Sequence, residues 1–190
     1  MPIDPRAIEQ LLKFLKAIDE HLTQDSKMVM FVGGGAAILL AYDGEIATDD
    51  VDFIAVMREL PSWLVELAGE GSALHRETDY YLDIVAPGLF PQEWGWRKRA
   101  LTVDTLGLKH IELRVLELHG LILSKLKRFA GKDRDDIRGL CEREEFSIDT
   151  LRSRFRNARQ MFDFDQCEKL DRNFQFMETE FLALEPTRFD

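Results

Sequence analysis

At 190 residues the chain holds one domain, or one domain with a helical appendage. Its 45% hydrophobic and 32% charged residues are those of a globular protein, and no apolar run approaches the roughly 20 residues a membrane-spanning helix needs. The net charge of −10 is uneven, with 6 Lys/Arg against 17 Asp/Glu in residues 1–95 and 19 against 18 in residues 96–190, which argues against nonspecific coating of nucleic acid.

Asp4-Pro5 is a helix start, and Ile8, Leu11, Leu12, Leu15 and Ile18 recur at helical spacing, so residues 5–23 are expected to form an amphipathic helix. A buried strand is expected over 27–32, a short apolar helix over 34–42, and a second strand over 51–57. A helix over 61–67 ends at Gly69 and Gly71, a third strand covers 80–86, and Pro87-Gly88 stops it. Residues 88–100, with Trp94 and Trp96, read as a loop or short hairpin; 101–104 and 110–115 read as further strands. The second half turns helical, over 116–129, 132–143, 147–160 and 165–183. The pattern is α/β (α+β): a small mixed sheet flanked by helices, in a core of residues 1–115, followed by a helical C-terminal part of residues 116–190.

The N-terminal residues lack a signal peptide's apolar core, so a cytoplasmic location is expected. Cys141 and Cys167 are too few for a disulfide framework or a zinc site and read as packed thiols in helices. His21, His75, His110 and His119 show no ligand spacing and read as structural or surface residues.

The stretch that carries chemistry is FVGGGAAILLAYDGEIATDDVDFIAV, residues 31–56. An apolar strand runs into Gly33, Gly34 and Gly35, a short helix follows, and Thr48-Asp49-Asp50-Val51-Asp52 leads into the next strand. Asp50 and Asp52 stand two apart, so both carboxylates leave the same face of that strand, about 7 Å apart at the backbone. Glycines let backbone N–H groups approach phosphate, and the helix that follows turns its positive end toward the same place. Taken alone, the aspartates also suit a turn cap and a solvated strand end, and the glycines a plain strand-to-helix turn. An Asp within an apolar strand, as Asp83 is in YYLDIV, is costly unless paired or metal-bound.

Residues 31–56 resemble the signature of the polymerase-beta-type minimal nucleotidyltransferases: apolar strand, Gly-Gly, about a dozen residues, Asp-x-Asp. The Thr48-x-Asp50-x-Asp52 form most resembles the AbiEii-type toxin nucleotidyltransferases and their uncharacterised relatives, over roughly residues 28–140. An Arg that often stands two residues before the Thr is Ile46 here. The resemblance implies a nucleotidyltransferase-type sheet, an NTP substrate and Mg2+ as cofactor, two ions with Mn2+ as a substitute. Asp50, Asp52 and a later acidic residue would be catalytic and metal-binding. Asp83 takes that third position, with Glu77, Asp79 and Asp104 as rivals.

Gly33, Gly34, Gly35 and Thr48 are the nucleotide-binding candidates of the first half, Thr48 having an equal claim to a turn-capping role. In AbiEii-type relatives a helical Lys contacts the triphosphate, and a basic residue, an Asp and a second Asp three residues later follow on the next helix. Lys125, Lys132, Asp133 and Asp136 match in order. Lys125 would neutralise phosphate charge, and Asp133 and Asp136 would position it or the base; a snorkelling Lys and a helix-capping Asp are the plainer readings. The family further implies a toxin acting on the 3′ end of tRNA, with a cognate antitoxin as partner. The alternatives are a small-molecule, antibiotic-type nucleotidyltransferase and a degenerate, non-catalytic binding module. Finally, Arg152, Arg154, Arg156 and Arg159, with Arg97, Lys98, Arg99 and the two tryptophans, would suit an RNA track as well as a solvated helix face with core tryptophans.

Overall fold

The computed structural model describes residues 5–22, 27–42, 48–56, 60–86, 91–104 and 106–189. They form two compact units, one of Met1–Pro87 with Arg97–Leu116, the other of Gly88–Trp96 with Glu117–Asp190. No helix among the described residues is long and apolar enough to cross a membrane.

The first unit holds a five-stranded mixed sheet. Its strands are β1 (Met28–Val32), β2 (Asp50–Ile54), β3 (Tyr81–Val85), β4 (Leu101–Thr102) and β5 (Ile111–Val115), in the order β3-β2-β1-β5-β4. β1 runs antiparallel to β2 and parallel to β5, β2 is parallel to β3, and β4 is antiparallel to β5. Along β2 the alternation buries Val51 and Phe53 and leaves Asp50 and Asp52 half-buried on the other face.

Helix α1 (Pro5–His21) buries Leu11, Phe14, Leu15 and Ile18 completely, at the spacing of one helical stripe. Its last turn is tied to the start of β5, because the buried Asp19 carboxylate accepts the backbone N–H groups of Lys109, His110 and Ile111 at 2.7–2.9 Å. Helices α2 (Gly34–Ala41), α3 (Ser62–Ala68) and α4 (Ala73–Thr78) complete this layer. Residues 72–79 carry no periodicity that predicts an element. They form α4, opened by Ser72, whose hydroxyl accepts the His75 N–H, and closed by Asp79 in the left-handed conformation. Six residues bury only Leu74 and Thr78, too short a stripe to stand out as a period. In the 88–100 stretch, read as a loop or hairpin, Trp96–Arg99 form a helical turn, α5.

The second unit is helical: α6 (Leu118–Leu126), α7 (Gly131–Cys141), α8 (Ile148–Arg159) and α9 (Phe164–Glu180). Its core includes Leu151 and Phe155 of α8 and Leu170, Phe174 and Met177 of α9, with Phe155 and Phe174 stacked at 4.2 Å between ring centroids. Arg152 pairs with the fully buried Glu178 at 2.7 Å, and Glu178 also accepts the N–H and hydroxyl of Thr187, which fastens the C-terminal segment.

Candidate active site

Three strands build the site. β1 delivers the glycines, and the Gly33 N–H donates to the Asp52 carbonyl at 2.9 Å, so the turn begins directly beside β2. Gly33 is extended, with φ −111°, whereas Gly34 lies in the left-handed region at φ +58°. A Cβ on Gly34 would overlap the Asp52 carboxylate. Glycine is therefore required at 34 twice over, by backbone conformation and by the approach of Asp52. Gly35 is buried within the first turn of α2.

On β2, Asp50 and Asp52 share a face. The Thr48 hydroxyl donates to the Asp50 carbonyl at 3.3 Å and makes a short bond to the Asp50 carboxylate, so it braces the first acid. β3 lies parallel to β2 in a register that sets Asp83 opposite Asp52 and Tyr81 opposite Asp50. One carboxylate oxygen each from Asp50, Asp52 and Asp83 falls within 4.8 Å of the others. The rivals for the third acid stand elsewhere: Glu77 pairs with Lys13 at 2.9 Å, Asp79 closes α4, and Asp104 follows β4. Ile46 lies outside the described residues.

Three carboxylates held this close repel one another unless positive charge lies among them. The set is all oxygen, which is the donor chemistry of Mg2+ and Mn2+ rather than of a soft metal.

A family model described as a nucleotidyltransferase of unknown function, DUF6036, matches residues 7–182. The chain belongs to that nucleotidyltransferase family. No curated protein and no solved structure shows a significant match. Membership supports nucleotidyl transfer as the class of function.

In this member of the family, the second half of the expected signature forms a network inside the helical unit. Lys125 of α6 is buried, and its ammonium lies 2.6 Å from Asp136 and 3.8 Å from Asp133 of α7. Asp133 also accepts a two-pronged pair of bonds from Arg128, at 2.7 and 2.8 Å, and the Ala130 N–H at 3.0 Å. Burial alone would raise the Asp133 pKa. The Arg128 hydrogen bonds, the Ala130 N–H and the charges of Arg128 and Lys125 outweigh that and hold the group below the ordinary carboxylate range. Lys132, in the first turn of α7, is exposed. The Lys125–Arg128–Asp133–Asp136 cluster is thus a connected ion network that fixes α6 against α7.

The arginine stripe is also engaged. Arg152 pairs with Glu178, Arg154 with Glu93 and Glu117, and Arg159 with Asp171. These ties count against an open RNA track, and they leave these three arginines less solvated than the reading of a solvated helix face with core tryptophans expects. The two tryptophans are not both core residues as that reading expected: Trp94 is 88% exposed.

Proposed function

We propose that the protein is a Mg2+-dependent nucleotidyltransferase that moves an NMP from an NTP to an acceptor hydroxyl. The observation that carries this is the convergence of Asp50, Asp52 and Asp83 beside the Gly33–Gly34 turn. Asp50, Asp52 and Asp83 would hold the metal, and bound Mg2+ would neutralise the phosphate charge that builds up in transfer.

The chain's own residues do the rest. The Gly33–Gly35 turn and the start of α2 offer backbone donors to the triphosphate. Thr48 keeps the Asp50 carboxylate in place. Asp83 is the exposed member of the trio, and it takes the proton of the acceptor hydroxyl as the oxygen–phosphorus bond forms and pyrophosphate leaves. By the AbiEii-type resemblance, Lys125 would neutralise phosphate charge. Asp133 and Asp136 hold its ammonium, and Lys132 offers a second, exposed cation. The AbiEii-type resemblance supports the 3′ end of tRNA as acceptor and an antitoxin as partner. The tied arginines of α8 favour a second reading, in which the acceptor is a small molecule.

The test is incubation of the protein with each alpha-labelled NTP, Mg2+ and total tRNA, beside the Asp50→Asn/Asp52→Asn variant. Label on RNA that vanishes in the variant supports the first reading. Unlabelled RNA with metal-dependent NTP binding intact supports the small acceptor. Transfer that survives the double replacement refutes the site.

A further inference from the structure

The aromatic residue beside the carboxylates has no part in the reading above. Tyr81 precedes Asp83 by two positions on β3 and therefore shares its face. It stands opposite Asp50 in the strand register. Its ring lies 4.9 Å from that of His75, tilted by 51°, and His75 is held by the Gly71 N–H donating to Nδ1 at 2.9 Å. Tyr81 is half-buried, and its hydroxyl makes no hydrogen bond among the described residues. A tyrosine hydroxyl is neutral at physiological pH, so this phenol can donate.

The order β3-β2-β1 gives this residue a side of the reaction. The glycine turn leaves β1 on one flank of the carboxylates, and β3 forms the opposite flank and the sheet edge. In phosphoryl transfer the attacking and leaving oxygens lie roughly in line across phosphorus. With the triphosphate against the glycines, pyrophosphate departs toward β1, and the attacking hydroxyl approaches from β3. Resting on the nucleotidyltransferase reading of this site, we propose that Tyr81, backed by His75, positions the acceptor, and that the acceptor group it takes is a sugar ring carrying the attacking hydroxyl. An aromatic face suits the apolar face of a sugar, and a neutral phenol can donate to one of its hydroxyls where the surrounding carboxylates repel a phosphate. The acceptor oxygen bonds to the alpha-phosphorus, the bond to pyrophosphate breaks, and the proton passes to Asp83.

Transfer of label from NTP would be measured to two probes, total tRNA and an uncharged riboside, with wild type, Tyr81→Phe and Tyr81→Ala. Binding of Mg2+ with a non-hydrolysable NTP analogue would be followed in parallel by thermal shift. The expected result is an acceptor KM about tenfold higher in Tyr81→Ala, partial recovery in Tyr81→Phe, and an unchanged analogue shift. The probe that is labelled identifies whether the sugar belongs to RNA or to a small molecule. Unchanged acceptor KM in Tyr81→Ala, or a wild type that labels neither probe while binding the analogue, overturns the proposal. Failure of the underlying reading shows separately, as an analogue shift that is absent or that survives Asp50→Asn/Asp52→Asn.

Discussion

The Asp52 carboxylate occupies the space that a side chain at Gly34 would need. The glycine turn and the second acid are packed together, and the Gly33 N–H bonds the Asp52 carbonyl at 2.9 Å. An alanine at 34 would hold the left-handed conformation at a cost of about 1–2 kcal/mol and would also displace the Asp52 carboxylate. We expect a lower melting temperature and loss of metal-dependent nucleotide binding. Gly33→Ala is the control: its backbone is extended, and an added Cβ meets Leu116, Ile54 and Asp52 at ordinary distances of 3.5–3.8 Å. Thermal melts with and without Mg2+ and an NTP analogue separate the two.

Mutual repulsion among Asp50, Asp52 and Asp83 costs stability in the absence of cation. A single Asp83→Asn should raise the melting temperature of chelator-treated protein by a few degrees while shrinking the gain from added Mg2+. An equal Mg2+ response in wild type and variant would remove Asp83 from the metal site.

Lys125 is buried between two aspartates, so its removal leaves buried negative charge. Lys125→Met is expected to destabilise by about 3–5 kcal/mol, measured by urea denaturation. Activity lost in that variant has to be weighed against folding. Lys132→Ala, at an exposed position, should leave stability within about 0.5 kcal/mol and shows whether the first turn of α7 meets phosphate.

Acid should unfold the protein through a few carboxylates. Burial of Asp19 works against its charge, but the Lys109, His110 and Ile111 N–H groups and the charge of His110 hold its pKa below the ordinary range. Asp133 is lowered likewise, and so is Glu117, where burial is outweighed by the His119 hydrogen bond and the charges of Arg154 and His119. A folded pKa below the unfolded one contributes stability that is complete above about pH 4–4.5 and is lost as pH falls through the folded value. Asp19→Asn should cost about 1–3 kcal/mol at pH 7 and flatten the acid limb of the stability curve. An unchanged limb would show that Asp19 does not control it.

The local pattern was enough for most of the elements and for the first part of the candidate site. The strand-glycine-helix-strand order, the shared face of Asp50 and Asp52, and the four C-terminal helices follow from periods that backbone geometry imposes over a few residues. Short α4 escaped because one turn buries too little to leave a period, and Tyr81 was passed over although alternation from Asp83 already placed it on the same face. Other relationships belong to the tertiary structure alone. Asp83 stands opposite Asp52 because β3 pairs with β2 in one register, and a shift of one residue would have turned Asp83 to the other face. The clash that makes Gly34 obligatory depends on where β2 runs beside β1. Likewise, the partners of Arg152 and Arg159 were fixed by helix packing, which joins charges that no local period relates.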